Sequence, residues 1–149
     1  MAYLTTTLFA LGAASAAIGM TVDHQTRLDH HSGAVAVTYR GDVAITQKQV
    51  GAVAPGGRPS SLRCDWAATM TVARHAIAAS GASMSRRIDS EPVIAGTRPG
   101  WCSTSNAAIA REVAGKAADM KRHLQSLARE DHHELRAELD RIHGPQRAG

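Results

Sequence analysis

Aromatic side chains are nearly missing from this sequence: among 149 residues there are two Trp, two Tyr and one Phe. Tyr3 and Phe9 fall in the first nine positions, leaving Tyr39, Trp66 and Trp101 for the rest of the chain. A core must therefore be assembled from aliphatic residues and alanine, which a hydrophobic content of 44% allows. Cysteine is scarce too. Two residues without a Cys-x-x-Cys spacing exclude a disulfide-dense mini-protein and a local redox motif. Long runs of one charge are also lacking. The formal net charge is +4, yet no basic run exceeds the pairs Arg86-Arg87 and Lys121-Arg122, so nucleic acid is not expected as a partner. A Gly-x-Ser-x-Gly elbow, a Walker loop and a dinucleotide glycine fingerprint are all absent. With 20% charged residues spread among apolar ones, the chain reads as one folded domain.

What is present begins with an uncharged N-terminus. Residues 1–22 carry no charged side chain, and the polar stretch Asp23-His24-Gln25-Thr26-Arg27 follows abruptly. The apolar centre from Leu8 to Gly12 runs into small residues, and Ala14-Ser15-Ala16, Ser15-Ala16-Ala17 and Ala17-Ile18-Gly19 each suit a signal peptidase. Residues 1–19 therefore read as a signal peptide, although the first residues hold no Lys or Arg. A flexible mature N-terminus over 20–32, one domain over 33–143 and a disordered tail over 144–149 complete the expected organisation. An uncleaved anchor and an ordinary buried segment are the competing readings, since 22 uncharged residues are long enough to span a bilayer. The Ala, Thr, Gly and Ser content favours the cleaved signal, a periplasmic or secreted location and no membrane span after cleavage.

In an exported chain Cys64 and Cys102 read as one structural disulfide. They stand 38 positions apart, and closing such a loop in the unfolded chain contributes on the order of 4 kcal/mol in the chain-entropy account.

The fold class expected is α+β: an antiparallel sheet of about four strands with a long C-terminal helix packed on it. Val35, Val37 and Tyr39 alternate with smaller residues, Arg40-Gly41-Asp42 interrupts, and Val43 and Ile45 resume, which predicts a hairpin turning at 40–42. Pro55-Gly56-Gly57-Arg58-Pro59 reads as a hairpin loop. After it, Leu62, Cys64, Trp66, Ala68, Met70 and Val72 share one parity, the pattern of a long strand with one buried face. A weaker strand surrounds Met84, Arg86 and Ile88 and is expected to break at Glu91-Pro92. From Thr104 to His143 the apolar residues Ile109, Val113, Ala117, Met120, Leu124 and Leu127 follow helical spacing, with Ser103 as the expected N-cap and His143-Gly144-Pro145 as the stop. Forty residues of helix would reach about 60 Å. Asp131-His132-His133-Glu134 has the form of a capping box, so a break at 129–132 and a continuous rod are both open.

Seven of the eight histidines cluster at His24, His30 and His31 and at His123, His132, His133 and His143. Adjacent histidines point to opposite faces of a strand and lie a hundred degrees apart on a helix, so His30-His31 and His132-His133 read as solvated positions. His133-Glu134-Leu135-Arg136-Ala137 begins like a zinc-protease helix and fails at Ala137. Asp42, Asp65 and Asp89 are candidate acids without a visible partner, and Trp66 and Trp101 read as packing together over the disulfide. No catalytic, cofactor-binding or metal residue is assigned on this basis. The expected role is binding: the helix face of Met120, Leu124, Leu127, Leu135, Leu139 and Ile142 docking an envelope protein or a second copy of the chain. A periplasmic metal-binding protein using the histidine clusters is the alternative, and an enzyme whose site is assembled only in three dimensions is a third.

Overall fold

The computed structural model describes residues 19–145 and residue 147, with only the backbone of 89–91. The expected signal peptide therefore lies, apart from Gly19, outside the described residues. Four strands, β1 (Met20–His30), β2 (Gly33–Val50), β3 (Arg63–Ile77) and β4 (Ser83–Pro99), form one antiparallel meander in the order β1-β2-β3-β4. Two helices follow, α1 (Cys102–Ala114) and α2 (Ala117–His143), and both pack on one face of the sheet. The architecture is α+β, with α1 toward β3 and α2 toward β1 and β2. Among the described residues no helix is long and apolar enough to cross a membrane.

The alternation read in β3 holds and runs further. Cys64, Trp66, Ala68, Met70 and Val72 are buried, and Arg74 and Ala76 continue the same inner row. Val35, Val37, Tyr39 and Val43 supply the inner row of β2, and Ile109, Val113, Met120, Leu124, Ala128, Leu135 and Leu139 close the core from the helices. Fully burying one Val, Leu, Ile or Met side chain stabilises by roughly 1.5–3 kcal/mol, so this two-layer contact is the main source of stability. Cys64 and Cys102 are bonded, with their Cα atoms 4.8 Å apart, and pin the start of α1 to β3. Gln49 reinforces the joint: its side-chain carbonyl accepts the Cys102 backbone N–H at 2.8 Å, and its amide donates to the carbonyls of Arg63 and Gly100. One of the N–H groups that a helix leaves without an internal partner at its start is thereby satisfied.

Several sequence expectations are corrected. No turn forms at Arg40-Gly41-Asp42. The inward parity of Val35, Val37 and Tyr39 is the same as that of Val43 and Ile45, and β2 runs straight through. Gly41 is there for space, since a Cβ at this position would lie 2.6 Å from the Met70 sulfur. The hairpin turns instead at His31-Ser32, and residues 20–32, expected to be flexible, contain the edge strand β1. Its inward positions are Met20, Val22, His24, Thr26, Leu28 and His30, so polar side chains mask the alternation. The break expected at Glu91-Pro92 is present as an irregularity in the pairing opposite Thr69, and β4 continues beyond it. Its pairing with β3 slips on either side of Thr69 and resumes, and an edge strand tolerates the missing N–H. The helical segment breaks at Gly115-Lys116, not at 129–132, and α2 is continuous through Asp131 for 27 residues, about 40 Å. α1 starts from Trp101 with no side-chain cap, so Ser103 does not cap it. Trp66 is buried while Trp101 is 52% exposed, and the two do not share a burial site over the disulfide.

Candidate metal centre

The seam between β1 and α2 ends in a cluster of imidazoles and a carboxylate. His30 is the last residue of β1 and pairs with Gly33 across a loop of two residues, His31 and Ser32. Gly33 has φ 121° and its missing side chain leaves room for Ala79, so glycine is what lets the chain reverse this tightly. Because His31 belongs to the turn and not to the strand, its ring is not sent to the opposite face. The rings of His30 and His31 lie 4.0 Å apart, centroid to centroid.

Asp140 comes to them from the last turn of α2. A carboxylate is disfavoured there by the helix dipole, so its placement needs a partner from elsewhere. It has two: the Nε2–H groups of His30 and His31 donate to its Oδ1 at 3.0 and 3.2 Å. The hydrogen bond from His30 holds the Asp140 carboxyl below the usual carboxylate range; burial opposes it, and the bond from His31 adds to the lowering. An ionised carboxylate only accepts, which places a proton on each Nε2. The other nitrogen of His30 is then an acceptor, and it takes the backbone N–H of Ser32 at 3.2 Å with the Ser32 hydroxyl at 2.6 Å. The His30 side chain is 4% exposed and fixed from both ends.

One ligand atom from each of His30, His31 and Asp140 lies within 4.8 Å of the others. They line a cleft of about 290 Å³ together with Asp29 and Arg136. With neutral imidazoles the charges of Asp29, Asp140 and Arg136 leave the cleft one unit negative, a suitable balance for a cation. Nitrogen and oxygen donors of this kind suit zinc, copper or nickel, whereas calcium and magnesium call for oxygen. His143, the last residue of α2, stands beside the cluster with its ring centroid 6.1 Å from that of His30.

The remaining histidines are dispersed. His132 faces inward near His24 of β1, which stacks on Tyr39, and its Nε2 is buried with no hydrogen bond, as is that of His123. His133 and His75 are exposed, the latter bonded to Ser85. The separation of His132 from His133 follows the expected helical angle; the juxtaposition of His30 and His31 contradicts the strand expectation. Asp42 and Asp65 are surface partners of Arg40 and Arg63 and form no acid pair.

The helix face expected to dock a partner is the inner face of the molecule. Met120, Leu124, Leu135 and Leu139 are fully buried against the sheet, Leu127 is partly buried, and Ile142 alone is 53% exposed. The row fits because Asp131, which interrupts its apolar pattern, is itself buried. Arg74 of β3 donates to its Oδ2 at 2.9 Å and the Tyr39 hydroxyl donates to the same oxygen at 3.0 Å. Arg74 also reaches Glu138. Burial, then the Asp131 charge, pushes the Tyr39 hydroxyl well above its ordinary pKa. This network locks α2 to β3. On its outer side Asp131 borders a shallow cleft with Arg86, 3.6 Å away, and Glu134.

Compared with known protein families, curated proteins and solved structures, the chain matches none.

Proposed function

We propose that this chain is an exported protein that binds a divalent transition-metal ion through His30, His31 and Asp140. The observation that carries the reading is the convergence of three ligand atoms, from a two-residue turn and from a helix end distant in sequence, within 4.8 Å. To offer Nε2 to the ion each neutral imidazole carries its proton on Nδ1, in place of the Nε2–H that now points at the Asp140 carboxylate oxygen. In that form the Ser32 hydroxyl, 2.6 Å from Nδ1, exchanges its donor role for that of acceptor of the His30 Nδ1–H, the supporting contact that orients a ligating ring from behind. Because this serine and its own backbone N–H converge on the same ring nitrogen, the contact reads as a positioning device and not as an activated nucleophile. Export is supported by the uncharged residues 1–22 and by the Cys64–Cys102 disulfide, which an oxidising compartment preserves.

Isothermal titration with zinc tests this. The expected result is one site of micromolar or tighter affinity, weakened by more than about 100-fold in His30→Ala and in Asp140→Asn, since losing a ligand outweighs losing a supporting contact. Far-UV circular dichroism confirms that both variants fold. Absence of binding, or binding indifferent to both substitutions, contradicts the proposal.

A further inference from the structure

We infer that His143 is the fourth ligand and that the site closes as a tetrahedral centre of three imidazoles and one carboxylate, a zinc-class geometry. The inference rests on the metal-binding reading above and specifies its coordination. Three observations carry it. Asp140 and His143 stand three positions apart on the last turn of α2, the spacing at which a carboxylate and an imidazole share one helix face and which helical metal sites use. The Nδ1–H of His143 donates to the Leu139 carbonyl at 3.2 Å. That bond fixes the tautomer: the lone pair is on Nε2, the form in which a histidine ligates with its other nitrogen tied to a backbone carbonyl. Finally, the distances are close to what is required. A tetrahedral ion with bonds of about 2.0 Å to nitrogen sets imidazole centroids about 5 Å apart. His30 and His143 are 6.1 Å apart and His30 and His31 are 4.0 Å apart, so each pair is about an ångström from the liganded spacing.

The Nε2 of His143 now accepts a hydrogen bond from the Ser80 hydroxyl at 2.9 Å. Ser80 belongs to the β3–β4 turn, and binding exchanges this contact for the metal. With four protein ligands the ion keeps no open position for water or substrate. The centre is thereby a closed holding site that clamps the β1–β2 turn to the end of α2, and not a catalytic one.

Cobalt(II) titration of the disulfide-bonded full chain, followed by visible absorption, separates the possibilities. Four-coordinate cobalt absorbs intensely and six-coordinate cobalt faintly, so the native chain is expected to give intense bands. His143→Gln should reduce them to the faint pattern and weaken binding by about tenfold or more. Ser80→Ala, which removes the competing hydroxyl and leaves every ligand in place, should bind cobalt at least as tightly as the native chain. Intense bands that persist in His143→Gln, or weakened binding in Ser80→Ala, overturn the role of His143 while leaving the three-residue site standing. No cobalt binding by the native chain overturns both.

Discussion

A histidine's surroundings decide what it does, and the imidazoles here occupy contrasting ones. His30 and His31 are bonded to Asp140 in the cleft and His143 to Ser80 beside it, whereas His132 is turned toward β1 with an unpartnered nitrogen. Burial holds the His132 pKa below its ordinary value of 6.5; the Asp131 charge opposes this, and Arg136 and His24 add to it. The unfolded chain thus takes up this proton at a higher pH than the folded one. This contribution to stability is complete well above pH 6.5 and is lost as the pH falls through 6.5 toward the folded pKa. Urea midpoints should decline between about pH 7.5 and about pH 5.5, and His132→Gln should flatten that decline. An equal decline in the variant would place the effect elsewhere. At this scale the sequence was only partly legible. It could show that two adjacent histidines on a strand diverge, but not that one of them belongs to a turn, because the polar inward residues of β1 hide where the strand ends.

At the scale of elements, legibility followed the strength of the periodic signal. The parity of β3 was plain because every inward residue up to Val72 is apolar. Beyond it, Arg74 looks like the end of the buried row, just as Asp131 looks like the end of the helical stripe. Each explains the other: an acid and a base sit at core positions on facing elements and pair. Two polar exceptions of opposite charge on otherwise apolar stripes were the available signal. Gly115, a weak helix former one position past Ala114, marks the observed break better than a capping-box pattern did. The ion pair makes a prediction at this scale. Arg74→Met removes the guanidinium shared by Asp131 and Glu138, leaving Asp131 only the longer contact to Arg86 at 3.6 Å, and should cost about 3 kcal/mol in urea unfolding. The double variant Arg74→Met with Asp131→Leu should recover most of the loss. If the double variant is as unstable as the single one, packing around Arg74 and not its charge holds α2 in place.

For the whole molecule, three devices join the layers: the apolar contact between sheet and helices, the Arg74–Asp131–Tyr39 network, and the Cys64–Cys102 bridge at the start of the helical region. The α+β class, the long strand and the pairing of the cysteines were legible because composition, parity and the export pattern point the same way. The candidate centre was not, because it joins residues 110 positions apart and depends on where α2 ends over β1. Replacing both cysteines by alanine should lower stability by about 4 kcal/mol, read as a shift in the urea midpoint. An unshifted midpoint would mean that the core alone sets the stability. The central claim is that an ion is held by the imidazoles at the β1–β2 turn and the end of α2. Imidazole-nitrogen NMR spectra recorded during a zinc titration test it most directly. The resonances of His30, His31 and His143 should move together to new positions at one equivalent, while those of the exposed His75 and His133 stay in place. Shifts confined to His75 and His133, or no shift at His30 and His31, would contradict the account.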